Sequence, residues 1–180
     1  MKKRSVPTLI ALMTALLFLC TGCATQAKTR AKEAKPDPSL VWQITVEESE
    51  ITSSISSTKA FVAYGGDVNQ VSFSDQPSDG NVYLLVLMSI DKNQPGKDKF
   101  LWSDLSVMDK DGNVYARLEN DTFLELHGLP RIKATDLSIG NNHGYVCFEV
   151  PATVDSSKLT LTYAAEGSAQ QISLSPSESK

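Results

Sequence analysis

The stretch NVYLLVLMSID, residues 81–91, constrains the fold more than any other part of the chain. Val82, Leu84, Val86, Met88 and Ile90 recur at every second position, so an extended backbone collects all five on one face, whereas a helix would scatter them around its axis. Tyr83, Leu85 and Leu87 make the other face apolar too. Such a strand is expected to lie centrally and be covered on both sides, with a loop such as residues 53–76 as the cover; the alternative is an exposed apolar patch.

The same period runs through most of the chain. Trp42, Ile44 and Val46 alternate with Gln43, Thr45 and Glu47, the pattern of a strand with one wet face. Further strands are expected over residues 61–64, 71–75, 100–109, 113–119, 122–127, 144–150, 158–164 and 170–175, and a short helical turn near 132–137. The breaks between them, SDQPSDGN, DKNQPGKDK, DKDGN, LSIGNNHG and PATVDSS, hold the residues that turns require. Many short strands punctuated this way predict an all-β fold, an immunoglobulin-like antiparallel β-sandwich of two sheets.

The N-terminal segment carries a different signal. MKKR is followed by an uncharged run to residue 27, within which residues 9–19 are apolar except for Thr14. A basic start and a short apolar middle are the marks of a secretory signal; the apolar part is about half of the roughly 20 residues that a spanning helix needs. A retained membrane helix is the alternative. LCTGC, residues 19–23, resembles the lipobox of bacterial lipoproteins, departing from it in having Cys20 where Leu is usual. The resemblance implies cleavage before Cys23 and its lipidation. Cys20 follows bulky Phe18 and Leu19 and is expected to be discarded. At about 0.8 kcal/mol per buried methylene, two acyl chains make such an anchor effectively permanent.

These boundaries divide the chain into a signal peptide (1–22), a lipidated flexible tether (23–39), a sandwich domain (40–175) and a disordered tail (176–180). The tether contains no apolar side chain larger than Ala before its Pro-Asp-Pro break. It carries four basic and two acidic residues, while residues 40–180 carry ten basic and nineteen acidic, a net charge of −9. A domain so acidic is repelled by nucleic acid, so a nucleic-acid partner is not expected. With Cys20 removed and Cys23 acylated only Cys147 is left, so the core must hold the fold without an internal disulfide.

VYLLVLMSIDKN, LSVMDKDGNVY, LSIGNNHGYVCFEVP and KLTLTY follow one another between residues 81 and 163. In that order they resemble the immunoglobulin-like, telokin-like domains of unknown function found in lipoproteins of Gram-positive bacteria, a group that includes a mycobacterial secreted antigen. The resemblance implies a sandwich on the outer side of the cytoplasmic membrane, with no established enzymatic role to carry over. In GYVCFEVP, Val146, Phe148 and Val150 share one face, which places Cys147 on the opposite face with Tyr145 and Glu149. The inter-sheet cysteine of an antibody domain would instead point inward and have a partner.

Few chemical constellations stand out. Asp109, Asp111 and Asn113 in DKDGN alternate as cation ligands do, but a helical-hand calcium loop needs Gly at its sixth position and Glu at its twelfth, and Gly112 comes fourth. A tight turn accounts for the same residues, leaving Asp109 and Asp111 as weak metal candidates. Cys147 with His127 or His143 would form a nucleophile and base only if the fold joined them, and two histidines sixteen residues apart have no zinc-ligand spacing. No catalytic set and no cofactor are expected. The candidate binding surface is Tyr83, Leu85 and Leu87 joined by Trp102 and Tyr145 beside Cys147. The expected function is that of a non-catalytic, membrane-anchored, extracytoplasmic lipoprotein that binds another envelope protein or assists its assembly. The alternative is a module for a small ligand or a cation such as calcium at the acidic loops.

Overall fold

The computed structural model describes residues 37–95, 99–133, 137 and 141–178. The chain divides into a unit Met1–Arg30 and a unit Ala31–Lys180. The expected signal peptide, Cys23 and most of the tether lie outside the described residues. Among the described residues no helix is long and apolar enough to cross a membrane.

In chain order the elements are β1 (Trp42–Thr52), β2 (Ile55–Val62), β3 (Val68–Asp75), β4 (Asn81–Lys92), β5 (Leu105–Met108), β6 (Val114–Ala116), α1 (Phe123–Leu126), β7 (Asn141–Pro151), β8 (Thr160–Tyr163), β9 (Gln170–Ser173) and β10 (Ser177–Glu178). One sheet has the order β10-β1-β4-β7 and a second the order β6-β5-β8-β9, while β2 and β3 form a separate ribbon. Every pairing is antiparallel except β1 with β10. The two four-stranded sheets enclose one apolar core, so the domain is the antiparallel, immunoglobulin-like sandwich that the alternation predicts.

β4 is central in its sheet, between β1 and β7. Its Leu84, Val86, Met88 and Ile90 face the second sheet and meet Leu105, Val107, Leu161 and Tyr163, all buried. Phe100 stacks on Tyr163 at 4.4 Å and meets Trp42 edge-on at 5.6 Å, closing one end of this core. Along β1 the register shifts between Val46 and Glu48. The bulge puts Glu48, Glu50 and Thr52 opposite Leu87, Leu85 and Tyr83, on the outer face of the sheet.

Both long edges of the first sheet are covered, which removes the unpaired strand edges that invite aggregation. The chain leaves the second sheet after β6, bridges to β7 at Arg117 and Phe148, and Leu118 N–H donates to the Cys147 carbonyl at 2.9 Å. After α1 the chain returns, with Arg131 bridged to Tyr145. A Cβ on Gly144 would lie 2.8–2.9 Å from backbone atoms of Pro130, Arg131 and Ile132, so only glycine allows that approach. The excursion is pinned by Asp121, buried between Arg117 and Arg131 at 3.0 Å each. Removing the carboxylate from such a group would leave two cations facing each other, at a cost of about 3–5 kcal/mol.

Several expectations need correction. Residues 122–127 form not a strand but a helical turn, α1: Leu124 is fully buried while Leu126 is 37% exposed, a difference unexpected of a strand with both on one face. Residues 100–109 begin with a 3-10 turn, Trp102–Asp104, before β5 starts. β2 begins at Ile55, well before the apolar stretch at 61–64, because cross-strand pairing with β3 carries it through ISSTK. Ser177 and Glu178 pair with β1, so the expected tail at 176–180 is partly strand. No helix occurs at Ile132 or Lys133, and residues 134–136 of the turn expected at 132–137 lie outside the described residues.

Candidate functional site

The five residues expected to form a binding patch do not share an exposed surface. Tyr83 and Leu85 are each only 4% exposed, because residues 118–129 fold over the outer face of β4 and β7. Tyr83 stacks on Phe123 at 5.3 Å, and Leu85 joins Ile55, Leu124 and Cys147 in a second small core. Burial, with Cys147, Glu149 and Asp75 nearby, pushes the Tyr83 hydroxyl up to about 12. Leu87 and Tyr145 are half-buried. Trp102 packs against Phe100 at 5.0 Å, beneath the Arg117 guanidinium at 4.6 Å, as part of the main core. The central strand is thus covered on both faces as expected, but most of the cover comes from residues 118–129 and only Ile55 from the expected loop.

Cys147 is fully buried in the second core, and desolvation pushes its thiol far up. Neither histidine is its partner: His143 Nε2 lies 3.1 Å from Glu47, and His127 is engaged elsewhere. An un-ionised thiol without a base is a small hydrophobe, not a nucleophile.

The DKDGN loop is the tight turn between β5 and β6, with Gly112 at φ 86°. Asp109 accepts from the N–H of Asp111 and of Asn113, from the Asn113 amide and from the Tyr115 hydroxyl, at 2.8–2.9 Å. Hydrogen bonds led by that of the Asn113 side chain hold its carboxyl down at about 2 against the opposing effect of desolvation. Asp111 pairs with Lys110 at 2.7 Å. Both carboxylates are occupied by the turn's own donors, which corrects their candidacy as cation ligands. Among the described residues no group of three or more His, Cys, Asp or Glu side chains could hold a metal ion.

A row of polar groups that sequence reasoning missed lies where the ribbon meets the body. His127, just after α1, places Nε2 2.7 Å from Asp75 Oδ2 and Nδ1 2.8 Å from Ser57 Oγ. A carboxylate only accepts, so Nε2 carries the proton toward Asp75, and in the neutral ring Nδ1 accepts from the Ser57 hydroxyl. Serine, imidazole and carboxylate in a row are the components that activate a serine for acyl transfer. Here the imidazole is 1% exposed, wedged between α1 and the ribbon. The row acts as a clasp that fastens Ser57 of β2 and Asp75 of β3 to the body.

Beside the clasp, the outer face of the first sheet opens into a cleft of about 400 Å³. Its lining includes Glu50, Leu129 and Tyr145, with the buried Ile55, Leu85 and His127 side chains behind them. Burial raises the Tyr145 hydroxyl above its ordinary range, with the carboxylates of Glu48 and Glu50 adding to it.

Beyond the clasp the ribbon projects. Phe61, Val62, Tyr64, Val68 and Val71 are large apolar residues left exposed there, Tyr64 fully so beside the Gly65-Gly66 turn. Phe61 and Phe73 meet edge-on at 6.3 Å across the two strands. Five of the eight exposed large apolar side chains among the described residues belong to this element, against three scattered over the body.

No family model matches the chain. No curated protein matches it either. Among solved structures, the chain is similar to an uncharacterized beta-sandwich protein from Clostridium difficile 630, at 15% identity and a TM-score of 0.43, over 82% of this chain and 93% of that one.

Proposed function

We propose that the protein is a non-catalytic, lipid-anchored binding module on the outer side of the cytoplasmic membrane, and that it holds another envelope protein through the β2–β3 ribbon. The observation that carries this reading is the cluster of exposed apolar side chains on the ribbon, in a domain that otherwise buries its large hydrophobics well. Concentrated apolar exposure on one projecting element is a mark of a protein-binding surface. The anchor follows from the lipobox resemblance at Cys23. The path of β1 fits both parts: it begins at Trp42, next to the tether, and ends at Thr52, where the ribbon departs. An eleven-residue strand is about 33 Å long, so the ribbon's root lies a strand's length from the tether.

The test is photo-crosslinking in cells from position 64 of the full-length protein, with Cys23→Ala and Val62→Asp/Val68→Asp as controls. One defined protein should be captured and then lost in the ribbon variant, while Cys23→Ala releases the protein from the membrane fraction. Equal capture by wild type and ribbon variant would refute the ribbon's role. The non-catalytic part is tested separately with a fluorophosphonate probe, which should leave Ser57 unlabelled; stoichiometric labelling there would make the His127 row an active site.

A further inference from the structure

We infer that the cleft between β1, the ribbon root and the end of α1 binds a small organic amine, an ammonium group on an apolar stem, with Glu50 as its counter-charge. The cleft's size falls within the roughly 300–1,000 Å³ typical of small-molecule sites. Its charge is one-sided: among the described residues Glu50 lines it and no Lys or Arg does. Glu50 is half-buried and its side chain has no salt bridge or hydrogen bond among the described residues, whereas the Glu47 side chain on the same strand is held by Ser89 and His143. A carboxylate left unpaired in a concave, partly desolvated site is a handle for a cation.

The rest of the lining completes the match. Ser53 and Ser54 also line the cleft, and a serine hydroxyl oxygen is the kind of acceptor that ammonium hydrogens need. Half-buried Tyr145 lines the cleft with an aromatic ring, a group that favours a cation, and half-buried Leu129 gives apolar contact for a stem. An amino acid or a phosphorylated ligand would bring a negative charge to a site whose described lining holds no Lys or Arg to receive it. The domain's net negative charge draws cations toward it and keeps anions away. The bulge at Val46 and Glu48 sets this arrangement, because it turns Glu48 and Glu50 outward.

The inference stands apart from the ribbon reading, since the cleft lies at the ribbon's root and the exposed apolar residues beyond it. The experiment is isothermal titration of the full-length chain in a neutral detergent, against a detergent blank, with n-hexylamine, hexan-1-ol and hexanoate at neutral pH. The amine should bind about tenfold or more tightly than the other two, the difference that one charged hydrogen bond makes. Glu50→Gln should remove that preference, and so should Ser53→Lys, which places a cation in the cleft's exposed lining at the turn between β1 and β2. Circular dichroism confirms that both variants fold. Equal binding of all three compounds, amine binding that survives both substitutions, or no binding at all would each overturn the assignment. Val62→Asp/Val68→Asp should leave amine binding unchanged while abolishing partner capture, so the two readings can fail independently.

Discussion

Asp109 shows how one side chain can hold a turn together. Its two oxygens receive four donors from the turn that follows, and its carboxyl is held at about 2. In the unfolded chain an aspartate titrates near 3.9, so the folded value is the lower one. The stabilisation is therefore complete above about pH 4 and lost as the pH falls toward 2. The melting temperature of Asp109→Ala should lie below that of wild type at pH 6, and the gap should close by pH 2; a constant gap would show that the carboxylate's charge is not what matters. Cys147 makes a different prediction, because burial pushes its thiol up and leaves it un-ionised. A maleimide should not label it in the native protein and should label it fully in denaturant. Native labelling at a comparable rate would mean that the second core opens easily.

At the scale of elements, the ribbon is tied down by very little. Ile55 enters the second core, and the His127 row binds one residue on each strand. A two-stranded ribbon alone is marginal in water, so these ties decide whether it stays ordered. His127→Ala and Ser57→Ala should raise amide hydrogen exchange over β2 and β3, the histidine variant more, with protection of β4 and β7 unchanged. Unaltered exchange in the ribbon would dismiss the clasp. The return of residues 130–132 against β7 depends on a missing side chain: a Cβ at Gly144 would strike backbone atoms, which cannot rotate away. Gly144→Ala should cost about 1–3 kcal/mol by urea unfolding, the range for overpacking, and a neutral result would show that the returning segment yields freely.

For the molecule as a whole, the two sheets are joined at both sides as well as through their core. On one side the chain passes from β6 to the edge of β7, where Leu118 N–H reaches the Cys147 carbonyl. On the other, the Gln170 side chain of β9 accepts from Ile44 N–H at 3.0 Å and donates to the Trp42 carbonyl at 2.8 Å, pairing with β1 much as a strand would. Ser168 Oγ accepts from Trp42 N–H at 3.0 Å. Gln170→Ala would expose both β1 groups and should cost about 1–3 kcal/mol, with more self-association at high concentration as the edge opens. Sedimentation and a urea titration measure the two effects. An unchanged midpoint would place the edge's protection elsewhere.

Alternation in the sequence was enough to establish the β architecture, the two-faced character of β4, the outward position of Cys147 beside Tyr145 and the turn at DKDGN, because each depends on residues close together in the chain. That Leu85 and Tyr145 share the outer face was legible for the same reason, but not that Leu85 would be buried there. The clasp was not: Ser57 and Asp75 lie 70 and 52 residues from His127, and no local pattern links them. Nor could alternation foresee α1, which follows Asp121 held between two arginines, or the bulge that turns Glu50 outward. Period and turn chemistry are local properties and can be read along the chain; which polar groups meet across the outer face is decided only when sheet, ribbon and helix pack together.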